Sequence, residues 1–225
     1  MKKDLRVFVF AGLAVLQGCE GLSPVGNSQG NKEPPPPSLC ASKQPPTKEQ
    51  FVEAFTRLNK AMENAYERIL KERGSRTVPA SRAVAFDAMY AGLTRLGMIV
   101  ENRDSDLGFL VVAAPAPKPL DDTEWRTTVQ SDLPLMAGIL CPILCEYCKA
   151  IKFEPEDYVI VINATARALD AGRTEVTVTT RMREIRPRPG MPRRDYPPPT
   201  GVHLALDKIW SEFDRALDER QRPAR

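Results

Sequence analysis

The sequence holds one histidine among 225 residues. That scarcity removes most imidazole-based metal centres and proton relays. A nucleophile elbow, a phosphate-cradling glycine loop and a metalloprotease helix are all absent as motifs. Charge of one sign is lacking too: 32 basic residues face 29 acidic ones, a formal net charge of +3. No bulk electrostatic argument for nucleic acid follows from so small an excess. Glycine, at 13, is outnumbered by proline, at 21. Core-forming residues still make up 42% of the chain, which excludes wholesale disorder. At ~150 residues per domain, this length accommodates one domain with a tail.

The N-terminus carries Lys2, Lys3 and Arg6 against Asp4, followed by an uncharged, mostly apolar run over residues 7–16. A membrane-spanning helix needs roughly 20 such residues, so this one is too short to stay as an anchor. A basic segment before a short apolar one reads as a secretory signal. It ends in Leu16-Gln17-Gly18-Cys19, which resembles the lipobox of bacterial lipoproteins. The resemblance implies that Cys19 is acylated and that residues 1–18 are removed as the signal peptide. Lipid on Cys19 is then the membrane anchor. Residue 20 is Glu, not Asp, which points to the outer membrane, with the protein facing the periplasm. Removal of residues 1–18 leaves 29 basic and 28 acidic residues, a net charge of +1.

Residues 19–46 read as a proline-rich tether, with a run of four prolines at 34–37 and almost no apolar side chains. Such a stretch cannot repay its ordering entropy by burial, and the prolines favour an extended spacer.

Residues 47–222 are expected to form a single α+β domain. Thr47 and Gln50 make a capping box for a helix with Phe51, Phe55, Leu58, Met62, Ala65 and Ile69 on one seam. That seam packs on its own domain or, in a sharper reading, on a partner or a second copy. Ser81 starts a second helix, closed near Gly97, that feeds a strand hairpin turning through residues 103–108. Asp157 opens a second hairpin whose residues alternate apolar and polar as far as Arg183. Thr200 is placed to cap a last helix with Val202, Leu206, Ile209, Trp210, Phe213 and Leu217 on one face. The expected architecture is a four-stranded antiparallel sheet, built from two hairpins and packed against helices. Between the hairpins lies an insertion, residues 115–156, read as a polar connection followed by an apolar stretch broken by Gly138 and Pro142. The arginines at 181, 183, 186, 188, 193 and 194 read as a solvated strand end and loop.

Residues 85–113, AFDAMYAGLTRLGMIVENRDSDLGFLVVA, resemble the helix-then-hairpin signature of BamC-like, helix-grip domains in envelope lipoproteins. That family serves the machinery that assembles outer-membrane barrels. The resemblance implies a fold and an accessory role, and brings no catalytic residue.

Five cysteines are present. With Cys19 acylated, Cys40, Cys141, Cys145 and Cys148 remain, an even number that reads as disulfides in an exported chain. The expected pairing joins Cys40 to the cluster and closes one bond within it. The C-x3-C-x2-C spacing resembles the cluster-binding motif of radical S-adenosylmethionine enzymes. That family builds its motif into a long barrel of alternating strands and helices, whereas here it lies between antiparallel hairpins. Two other readings stand beside the structural one: a thiol–disulfide exchange pair at Cys145 and Cys148, and zinc held by the three cluster thiols with Cys40 or His203.

The reading as a whole is a lipid-anchored envelope protein, non-enzymatic and without cofactor or nucleic-acid partner. Its expected contacts are the membrane, through its lipid, and a protein of an envelope assembly.

Overall fold

A computed structural model of the chain describes residues 45–222. The expected signal peptide, Cys19, Cys40 and nearly all of the tether lie outside these residues.

The first helix, α1 (Lys48–Arg73), begins with the expected capping box: Thr47 accepts from the Gln50 N–H, and the Gln50 side chain accepts from the Thr47 N–H. Its buried residues include Phe55, Leu58, Met62, Ala65, Tyr66 and Ile69. This seam is filled by the chain's own α3 (Asp122–Leu144) and α4 (Pro199–Gln221), leaving no free coiled-coil stripe on α1. Helix α2 (Arg82–Arg95) lies between α4 and the sheet.

The sheet corrects the expectation. It has five strands, not four, in the spatial order β1 (Ser75–Val78), β5 (Thr174–Glu184), β4 (Tyr158–Ala168), β3 (Phe109–Pro115) and β2 (Ile99–Asp104), and every pairing is antiparallel. The two expected hairpins are present: β2 (Ile99–Asp104) with β3 (Phe109–Pro115), and β4 (Tyr158–Ala168) with β5 (Thr174–Glu184). The turn of the first hairpin is local acid chemistry: Asp104 Oδ1 accepts from the N–H groups of Asp106 and Leu107. Gly108 follows at φ +67°, where a Cβ would stand 2.3 Å from the Ala166 carbonyl oxygen.

The additional strand, β1 (Ser75–Val78), pairs with β5 and buries only Val78. Four residues with one buried side chain carry too little pattern to announce a strand. The edge of β5 supplies the reason it forms. Beyond β1, successive outward N–H groups of β5 are met by other acceptors. Val178 donates to the Gly74 carbonyl, Thr180 to the Tyr66 hydroxyl and Met182 to the Asp195 carbonyl. A free strand edge is thereby closed by a helix end, a side chain and a loop.

One sheet face is buried, with Leu110, Val112, Ile160, Ile162, Val178 and Met182 under the helices. The other face carries Thr165, Arg181 and Arg183 into solvent. The alternation expected along β4 and β5 is thus the alternation observed.

The insertion departs furthest from expectation. Residues 122–144 form the 23-residue helix α3, with Pro134 and Pro142 inside it. A proline in a helix interior costs ~3 kcal/mol through its missing donor and ring clash. Two features offset that cost. Asp121 and Glu124 form a second capping box, and Trp125, Thr128, Asp132, Met136, Leu140 and Ile143 point into the domain. The indole N–H of Trp125 donates to the Phe153 carbonyl at 2.9 Å, tying α3 to the segment that leads into β4.

Thr200 does not cap α4. That helix starts at Pro199, and its N-terminus is capped from outside, by Asp132 of α3.

Candidate functional site

Three places concentrate chemistry or unusual surface. The first is the cysteine cluster at the end of α3. The helix stops at Cys145, whose backbone sits at φ +54°, ψ −129°, a conformation rarely held by a residue with a Cβ. The chain reverses there and continues as a short 3₁₀ helix, Cys145–Ala150. This reversal brings the Cα atoms of Cys141 and Cys148 to 5.1 Å, and the two are joined as a disulfide. Cys145 is likewise disulfide-bonded. Since Cys141 and Cys148 hold each other, the partner of Cys145 is neither of them. The Cys145–Cys148 pair of the alternative exchange reading is therefore not formed: Cys148 is spent on Cys141. A zinc site built on three cluster thiolates fails for the same reason. Among the described residues no group of three or more His, Cys, Asp and Glu side chains is placed to hold a metal. His203 lies in the first turns of α4, partly buried.

The second place lies where the arginine-rich loop crosses the start of β4. Arg194 is not a solvated loop residue; its side chain is 14% exposed and that of its partner Glu184 is 9% exposed. Nε of Arg194 donates to the Glu184 carboxylate at 2.5 Å, and a second guanidinium N–H donates to the Lys152 carbonyl at 3.1 Å. The guanidinium stands 4.9 Å from the ring centroid of Tyr158, 5.3 Å from that of Phe153 and 5.9 Å from that of Phe55. A guanidinium is weakly hydrated and planar, which suits it to this aromatic cage. Beneath it the Tyr158 hydroxyl is buried and makes no hydrogen bond. Burial pushes that phenol's pKa upward, against the opposing pull of Arg194. A cavity of about 150 Å³ opens beside the pair, walled by Phe55, Ile151, Asp157, Arg188 and Met191. Sequence reasoning missed this arrangement because Arg194 meets Glu184 and the rings only through tertiary contact. Arg181 stays exposed, as the solvated reading expects, while its guanidinium stands 4.4 Å from the ring centroids of both Tyr66 and Tyr196.

The third place is the outward side of α3. Leu133 is 39% exposed and Leu135 is 43% exposed. Pro134, Ala137, Gly138 and Pro142 are exposed around them. Next to this face runs an open groove of about 390 Å³ floored by Trp125, Val129 and Phe153 and edged by Arg126, Lys149 and Lys152.

No family model, no curated protein and no solved structure matches the chain. What the chain does has to be argued from its own residues. In chemical terms the described arrangement is a disulfide-braced helix end, a buried arginine–glutamate pair that stiffens a loop, and an apolar helix face turned to solvent.

Proposed function

We propose that this chain is an exported, lipid-anchored envelope protein that acts by contact, as an accessory or scaffolding component of an envelope assembly. The observation that carries the proposal is the oxidation of the cluster: Cys141 is bonded to Cys148, and Cys145 is also disulfide-bonded. Disulfides persist in oxidising compartments and are rare in reducing ones. They agree with an N-terminus that reads as a secretory signal ending in a lipidated Cys19. In this reading the protein sits at the outer membrane and faces the periplasm, and the partner of Cys145 is Cys40. That bond ties the end of the tether to the end of α3.

Contact rather than catalysis is favoured by where the exposed apolar surface lies. Ile99, on the outermost strand of the sheet, is 65% exposed, and Leu133 and Leu135 stand out from α3. Surface of this kind suits association.

Fractionation of cells making the wild type and the Cys19→Ser variant tests the anchor. The wild type is expected in the membrane fraction, and the variant is expected to lose acylation and stable membrane attachment. A Cys19→Ser protein held as tightly as the wild type would overturn the anchor. Crosslinking of the anchored protein in intact envelopes, followed by its recovery, tests the scaffold role. A reproducible protein partner is expected, and recovery of the chain alone would contradict that role.

A further inference from the structure

Residues 127–144 contain one charged side chain, Asp132, in a chain of which 27% is charged. Asp132 faces inward and is spent on Thr200. The outward side of α3 therefore carries no charge through most of the helix. A helix at the surface of a soluble domain ordinarily turns a charged or polar face to solvent. Only 33% of the most apolar eighteen-residue window here is buried within the domain.

The helix does not cross a membrane in this fold. Its inner side, through Trp125, Asp132, Met136 and Leu140, is committed to the domain, and α1 and α4 pack along it. A helix fixed in that way can only lie flat on a surface. The flanks of its exposed face indicate which surface. Arg126, Lys149 and Lys152 line the adjoining groove, where the one acid, Glu154, is 3.7 Å from Lys152. Tyr147 stands exposed just beyond the helix end. The outward face is uncharged, polar at Thr127, Gln130 and Ser131 and apolar from Leu133 to Pro142. Its border carries Arg126, Lys149 and Lys152 with Tyr147 against the acids Glu146 and Glu154. An apolar face with cations in excess at its border and an amphipathic aromatic suits a helix seated at an anionic lipid interface.

Phe55 of α1 shares a cavity wall with Ala150, Ile151 and Lys152, at and beyond the end of the 3₁₀ helix that follows α3.

We propose that the outward face of α3, centred on Leu133 and Leu135, is a second membrane contact that seats the domain on an anionic bilayer. The inference rests on the lipid-anchor reading and goes beyond it, since an anchored domain could equally stand clear of the lipid on its tether.

Tryptophan quenching in vesicles tests it. The acylated full chain carrying Leu135→Trp is reconstituted into vesicles of phosphatidylethanolamine and phosphatidylglycerol, with and without brominated acyl chains. A parallel protein carries Thr165→Trp, on the sheet face turned away from the helices. The buried Trp125 and Trp210 are the same background in both. The expected result is loss of emission with brominated lipid for Leu135→Trp and none for Thr165→Trp. Both variants change exposed side chains, and matching thermal melts confirm that each is folded. Flotation with the vesicles without quenching at position 135 would overturn this inference and leave the anchor standing. Failure to float would overturn both. Crosslinking from position 135 to a polypeptide, in place of quenching by lipid, would make the face a protein interface and refute the lipid contact.

Discussion

Asp132 caps a helix to which it does not belong. Its carboxylate accepts from the Thr200 backbone N–H at 2.8 Å and from the Thr200 hydroxyl at 2.7 Å, closing the start of α4 from the middle of α3. The negative charge also stands at the positive end of the α4 dipole. Beside it the helices approach closely: a Cβ on Gly201 would lie 3.4 Å from the Thr128 hydroxyl oxygen. Asp132→Ala is expected to cost about 1–2 kcal/mol, the range for loss of an N-cap acceptor. Asp132→Asn keeps one acceptor oxygen and should cost less. Urea unfolding of the two variants checks the order, and equal losses would contradict the capping role.

The Cys141–Cys148 bond closes a short loop across the reversal at Cys145. In the chain-entropy account, a loop of this size contributes about 2.5 kcal/mol by restricting the unfolded chain. Replacing both cysteines by serine should therefore lower the melting temperature by roughly 5–10 °C. A thermal melt under non-reducing conditions measures it. An unchanged midpoint would mean that the bond braces nothing.

Glu184 and Arg194 are predicted to be strongly coupled. Removing one partner leaves the other buried and uncompensated, which costs about 3–5 kcal/mol. Glu184→Leu should show a loss of this order, whereas Glu184→Leu combined with Arg194→Met should recover most of it. A double-mutant cycle on unfolding free energies gives the coupling directly. Additive losses would place the pair effectively in solvent.

Tyr158→Phe should be neutral or stabilising by up to ~1 kcal/mol, because it deletes a buried hydroxyl that has no partner. Denaturant titration tests the sign. A marked loss would reveal an acceptor for that hydroxyl.

The parts of this fold that were legible in the sequence are those set by local chemistry. The capping box of α1 and the alternation of β4 and β5 need only neighbours along the chain. The strand β1 was not legible, because it exists through the edge of β5. Helix α3 was hidden for a different reason. Periodicity is read from contrast, and its outward face is as uncharged as its inward one. Pro134, Gly138 and Pro142 further disguised it as a broken apolar connection. Arg194 read as an ordinary solvated charge and Asp132 carried no signal at all, since their partners, Glu184 with its surrounding rings and Thr200, are brought to them only by folding. Four cysteines permitted three connectivities, and the reversal at Cys145 selects Cys141 with Cys148.

The proposed protein is exported, lipidated at Cys19 and oxidised in its cluster. Intact mass spectrometry of the protein purified from envelopes, with free thiols alkylated but no reductant added, tests it most directly. The expected species is a chain beginning at Cys19, heavier by its acyl groups, with no alkylated cysteine. A chain that still begins at Met1, or one free of acyl groups with its cluster thiols alkylated, would contradict it.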